Sequence, residues 1–156
     1  VALDWDTLSR TLRPENSPGF LLWQVANQWQ RLQRSTLEPL GLTHVQFVLL
    51  AGLAWLSRKE NDVTQARLAA FCKTDAMMTS QVVRSLEAGG FIARAPHPTD
   101  SRARQLRVTA KGAEVLNAAM PRVREADAQF FGALQESQGF VEQLRRLWAS
   151  GSKREP

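Results

Sequence analysis

Apolar residues recur at helical spacing through the first third of this chain. Leu22, Val25, Ala26, Trp29 and Leu32 mark one stripe, and Phe20, Trp23 and Ala26 a second edge beside it. Together they predict a helix over residues 18 to about 37, with an apolar surface wider than one neighbour needs. Ser17 supplies the N-cap and Pro18 the first helical position. Residues 1 to 17 read as a short, loosely organised arm in which Leu3, Trp5, Leu8 and Leu12 keep some helical spacing. Pro39, Leu40 and Gly41 break the chain. Thr43 and Gln46 then form a capping box for a helix over 44 to about 58. Its residues Val45, Phe47, Val48, Leu49, Leu50, Leu53, Ala54, Trp55 and Leu56 are apolar on nearly all sides. A helix of that kind is buried, which makes this one the expected central strut.

After a polar loop at 58–62 the pattern shortens. Thr64 caps a helix over about 65–72, with Leu68, Ala69 and Phe71 as its apolar positions. Lys73 and Thr74 make a turn. Asp75 caps a second helix over about 76–88, closed by Gly89 and Gly90, since glycine accepts the left-handed conformation that ends a helix. Thr79, Val82, Val83 and Leu86 form its buried stripe. The opposite stripe is Ala76, Met77, Ser80, Gln81 and Arg84, small, hydrogen-bonding or basic, with no acid. Two helices and a turn with such an outward face form a DNA-reading device. Gln suits adenine, Arg suits guanine or phosphate, and Ala or Met suits thymine methyls. The first turns of such a helix make most base contacts, so Met77, Ser80 and Gln81 point to base edges and Arg84 to phosphate. The competing reading of this stripe is an ordinary solvated face.

Residues 91–94 read as a strand broken by Pro96 and Pro98, 99–102 as a turn, and 105–108 as a half-buried strand of alternating polarity. The hairpin carries Arg94, Arg102, Arg104, Arg107 and Lys111 against a single acid, Asp100. An arginine at such a tip suits a narrow minor groove; a solvated loop is the alternative. Thr109 caps a long helix running towards Leu134, apolar at Val115, Leu116, Ala119, Val123, Ala126, Phe130 and Phe131, with Pro121 inside. Gln138 and Gly139 mark a break. A last amphipathic helix over 140–148 carries Val141, Leu144, Leu147 and Trp148.

Composition narrows the chemistry. The 156 residues suit one domain with its own core, and 20 basic against 15 acidic side chains give a formal charge of +5. That balance favours a polyanion partner, double-stranded DNA above all. The sequence opens on Val1, as expected of a processed or trimmed chain. One cysteine precludes an intramolecular disulfide and fits a reducing cytoplasm. With two distant histidines it also makes a zinc site improbable. No apolar run reaches transmembrane length, no signal-peptide pattern opens the chain, and no phosphate-binding glycine loop or nucleophile elbow occurs. No cofactor, metal or membrane is expected, and no pair of titratable groups is placed for catalysis. Cys72 reads as a small buried hydrophobe rather than a redox sensor, and His44 as a solvated or cap-adjacent residue.

The stretch Gly41-Leu42-Thr43 with Gln46, the helix pair, Ser85-Leu86-Glu87 and Gly90-Phe91-Ile92 resembles the MarR (multiple-antibiotic-resistance regulator) family. The most telling residues are Asp100, Ser101 and Arg102, followed by Leu106 to Gly112. The resemblance spans roughly residues 18 to 148. It implies a mainly α fold with a small β-wing: a winged helix-turn-helix over 42–112, and dimerisation helices over 18–40 and 113–148. It implies a homodimeric transcriptional regulator, most simply a repressor, on a pseudo-palindromic operator. The implied DNA contacts are Thr64, Thr74, Ala76, Met77, Ser80, Gln81, Arg84, Arg102 and Arg104. Arg102 enters the minor groove with Asp100 holding it. An aromatic or phenolic effector would sit between the dimer helices and the reading domain, near Trp23 and Phe47. The sequence departs from the family where the second helix opens Asp75-Ala76-Met77-Met78, so base preference does not carry over from relatives. A winged-helix module that works through protein contacts remains the other reading.

Overall fold

The computed structural model describes residues 2–11, 13–96, 99 and 104–151. The calls on Asp100 and Arg102 lie outside the described residues. Among the described residues, seven helices and one hairpin follow in order: α1 (Trp5–Thr11), α2 (Pro18–Leu37), α3 (His44–Leu56), α4 (Gln65–Cys72), α5 (Ala76–Ala88), β1 (Ile92–Pro96), β2 (Arg104–Val108), α6 (Ala110–Phe131) and α7 (Ser137–Gly151). Short 3-10 turns occupy Pro14–Asn16 and Glu38–Leu40. The expected mainly α fold with a small β-wing is what forms.

The caps stand where the side-chain chemistry put them. The Ser17 hydroxyl accepts from the Phe20 amide, and Thr43 and Gln46 complete both bonds of their capping box. Gly41 takes a left-handed conformation with φ 69° to turn the chain into α3. That helix is the strut: Leu49, Leu50 and Leu53 are fully buried, and α2, α4, α5, β2 and α6 all pack on it. The core continues through Leu37, Leu68, Val83, Leu86, Ile92, Leu106 and Leu116.

Several expectations are corrected. The strut ends at Leu56, and Trp55 is 57% exposed with the Arg58 guanidinium 4.9 Å over its ring. A helix end that faces water can carry a large apolar ring when a cation covers it. The break placed at Gln138 and Gly139 falls instead at 132–136, and both residues lie in the first turn of α7. The ring of Phe131, which ends α6, lies tilted 5.9 Å from that of Phe140, so aromatic packing across the turn holds the corner. The 1–17 arm contains a helix, α1. Pro96 is the last residue of β1, opposite Arg104.

Gln105 was expected on the polar side of an alternating strand, yet it is 4% exposed. Its side-chain amide donates to the Asn61 carbonyl, and it bridges to Thr64. Beside it the Leu106 amide donates to Val63 at 2.8 Å. The wing is thereby bonded on its inner edge to the segment entering α4, and a buried polar residue there is satisfied.

His44 is half-buried, its ring edge-on to Trp29 at 5.0 Å. Asp127 on α6 accepts from Trp29 Nε1 at 2.8 Å and from Gln33 Nε2 at 2.7 Å. Burial pushes the His44 imidazole below its ordinary range, with Asp127 pulling the other way. His44 is cap-adjacent, directly after the Thr43 cap, but not solvated: it belongs to the seam where α2, α3 and α6 meet.

Candidate nucleic-acid interface

The reading unit is set by local bonds before any partner is considered. The Thr64 hydroxyl caps α4 by accepting from the Arg67 amide at 3.2 Å. Arg67 forks onto Glu60 with contacts of 2.6–3.1 Å. Lys73 closes α4 in a left-handed conformation with φ 54°, its amide donating to Ala69. The Thr74 hydroxyl bonds to that of Thr79 at 2.7 Å, and Thr79 also donates to the Asp75 carbonyl at 2.7 Å. Asp75 caps α5 by accepting from the Met78 amide at 2.8 Å.

On α5 the four residues Thr79, Val82, Val83 and Leu86 are buried. The Gln46 side chain adds a tether from α3 to Ser85, at 2.7 Å. With that stripe seated, the opposite one faces solvent. Ala76, Gln81 and Arg84 are exposed, Ser80 is half-buried, and Met77 is 75% exposed. The sequence-predicted reading face is thus one continuous outward surface. Thr64 caps α4 and Thr74 directly precedes the α5 cap, and both hydroxyls are already bonded within the fold. The Arg84 Nε–H reaches the Ser80 carbonyl at 3.3 Å, which aligns its stem along the helix.

β1 and β2 pair antiparallel with Ile92 opposite Val108 and Pro96 opposite Arg104. Arg104 is exposed where the described hairpin ends. The basic count of the hairpin overstates its free charge. Arg94 is half-buried with Nε 3.1 Å from a Glu87 oxygen, an ion pair without a well-aligned hydrogen bond. The Lys111 ammonium donates to the Gly89 carbonyl at 2.8 Å and lies 5.0 Å from the Phe91 ring. It closes the end of α5. The Thr109 hydroxyl accepts from Gly112 and donates to the Gly90 carbonyl at 2.6 Å. These bonds knot together the end of α5, the start of β1 and the start of α6. The Thr-Ala-Lys-Gly run carried a signal for this knot; nothing in the spacing of charges distinguished Arg94 and Lys111 from free bases.

Trp23 is 63% exposed and lines an open cleft of about 610 Å³ with Gln24, Asn27, Gln28 and Arg31. Phe47 is buried in the core and is not among the residues of that cleft. Cys72 is half-buried, its thiol 3.9 Å from the Val48 carbonyl and raised by burial above its ordinary 9.0. A thiol held protonated is a poor nucleophile towards oxidants. Among the described residues no group of three metal-binding side chains gathers, and no single helix is long and apolar enough to cross a membrane.

The MarR family model matches residues 42–103, which run from the start of α3 into the wing. The chain is 42% identical over 145 residues to the HTH-type transcriptional regulator YdcH of Bacillus subtilis (strain 168), covering 93% of this chain and 97% of that regulator. It is 30% identical over 116 residues to the HTH-type transcriptional repressor Rv2887 of Mycobacterium tuberculosis, covering 74% and 81%. Its fold is similar to that of CouR from Rhodococcus jostii RHA1, solved with p-coumaroyl-CoA, with a TM-score of 0.77, 23% identity and coverage of 94% and 99%. The outward α5, its antiparallel wing and these likenesses agree, and this chain belongs to the MarR family of DNA-binding transcriptional regulators.

Proposed function

We propose that the chain works as a homodimeric repressor on a pseudo-palindromic operator and is released by a small aromatic ligand. The carrying observation is the outward stripe of Ala76, Met77, Ser80, Gln81 and Arg84 on α5, with the buried stripe of Thr79, Val82, Val83 and Leu86 seated opposite. Met77, Ser80 and Gln81 then meet base edges, Ala76 contacts a thymine methyl, and Arg84 takes a phosphate. Thr64, which caps α4, and Thr74, which bonds to Thr79, hold the geometry of the helix pair. Arg104 takes the backbone beside the wing, and Arg102 the minor groove with Asp100 orienting its fork.

The dimer rests on apolar surface at both chain ends. Leu21, Leu22, Trp23 and Val25 on α2 and Val141, Leu144, Leu147 and Trp148 on α7 are exposed. Patches of this kind mark partner surfaces, and a twofold closure is the simplest way to cover them. The ligand reading is supported by the Trp23 cleft, which a partner chain would roof, and by the aromatic ligand in CouR. Arg31 in that cleft supplies a cation for an acidic group. The protein would act inside the cell, where its DNA lies.

The test is a gel shift with salt titration on the DNA upstream of the gene and on scrambled duplexes. Arg102→Ala should weaken binding to every sequence and make the salt slope shallower by about one unit per lost contact in each subunit. Gln81→Ala should keep the slope and relax discrimination at one base pair per half-site, by about 1–3 kcal/mol. Half-sites should be centred about 10 base pairs apart. If both variants matched the wild type throughout, this face would not read DNA, and a protein-contact role would replace it.

A further inference from the structure

Lys73 is the one non-glycine residue with positive φ among the described residues, at 54°. It occupies the turn between α4 and α5, where glycine would meet the left-handed conformation without steric cost. Its side chain reaches the last helix of the described chain. The Lys73 ammonium lies 5.5 Å from the centroid of the Trp148 ring on α7. No described residue of α7 is buried. At one end the Phe140 ring lies tilted 5.9 Å from that of Phe131 on α6; near the other, Trp148 meets the Lys73 ammonium. Phe140 and Trp148 lie on α7 about 12 Å apart along the helix axis. It is a strap from the top of α6 back to the helix-turn-helix.

We propose that Lys73 and Trp148 are a positioning pair, through which α7 sets the angle and spacing at which α5 is presented. The inference rests on the DNA-reading function above. The residue between α4 and α5 has a left-handed backbone, so its geometry fixes how the second helix leaves the first. A cation held on an aromatic face biases that residue from outside the turn. The remaining apolar stripe of α7, through Val141, Leu144 and Leu147, is 40–63% exposed. When a second copy covers that stripe, a shift of α7 is passed to the turn and on to α5. A lysine in a helix-turn-helix turn could instead serve only as a phosphate contact. That role would not involve Trp148.

Four full-length variants separate these roles: Trp148→Phe keeps an aromatic face, Trp148→Leu keeps apolar bulk only, Lys73→Gly removes the cation and the steric cost, and the last combines Lys73→Gly with Trp148→Leu. Two measurements are made on each. The first is amide hydrogen exchange at Thr74 and Asp75 without DNA. The second is affinity for duplexes whose half-site centres are set at, one below and one above about 10 base pairs. Trp148→Leu should speed exchange of the turn amides roughly two- to fivefold and flatten the preference among spacings. Trp148→Phe should restore both, and Trp148→Leu should add nothing in the Lys73→Gly background. Exchange and spacing preference unchanged in Trp148→Leu would overturn the proposal, as would an undiminished leucine effect in the absence of Lys73. A wild type that ignored every duplex would defeat the DNA reading and the positioning role with it, while the exchange data would still score the contact.

Discussion

Gly112 shows how one missing side chain joins three elements. A Cβ there would stand 2.0 Å from the Phe91 backbone oxygen, and backbone cannot step aside as a flexible side-chain end can. Gly112→Ala should therefore lower stability by about 1–3 kcal/mol, read as a shifted urea midpoint; an unchanged midpoint would mean the knot is slack. Another residue-scale effect is pH-dependent. Burial holds the His44 imidazole below its ordinary 6.5 in the folded chain, whereas the unfolded chain takes up that proton near about 6.5. Above that pH the two states bind equally and nothing is lost. As pH falls through it the unfolded state binds more protons, so stability drops. The melting midpoint of the wild type should fall further between about pH 7.5 and 5.5 than that of His44→Gln. Equal falls in the two proteins would show that His44 does not carry the effect.

At the scale of elements, α5 is placed by α3. Gln46 accepts from the Thr43 amide at 2.8 Å through its side-chain oxygen and donates to Ser85 at 2.7 Å through its nitrogen. One amide therefore starts the strut and tethers the reading helix. Gln46→Ala loses both bonds and should cost about 1–2 kcal/mol, while Ser85→Ala loses only the tether and should cost roughly half as much. Denaturant titrations of the two variants decide this, and equal costs would mean the tether carries everything. The capping box was legible because its spacing is local. The tether spans 39 residues and had no sequence signal.

For the whole molecule, exposed apolar residues gather on α2 and α7, at opposite ends of the chain, while the core built around α3 is complete without them. A truncation lacking residues 1–20 and everything after 140 removes much of that surface, with part of α2 and α7 themselves. It should give an insoluble or unfolded product if the dimer is obligate. Sedimentation of a soluble, folded monomer from that truncation would contradict the proposed assembly.

Periodicity and capping chemistry by themselves determined the helices from α2 to α6, where they start, and which face of α5 is buried; α1 and the start of α7 lay outside their reach. Those signals act within three or four residues along a helix, so they survive without a tertiary structure. Thr64, Asp75 and Thr109 all cap as their positions dictate. Tertiary structure alone decided which charges are free. Arg94 answers to Glu87, Lys111 to the Gly89 carbonyl, and Lys73 to Trp148. It also decided that Gln105 is buried against Asn61, that His44 packs on Trp29, and that Trp23 and Phe47 do not share a cleft. Each depends on a partner distant in sequence, or beyond the reach of a local pattern. A charge or amide carries no mark of its partner until the chain has closed around it.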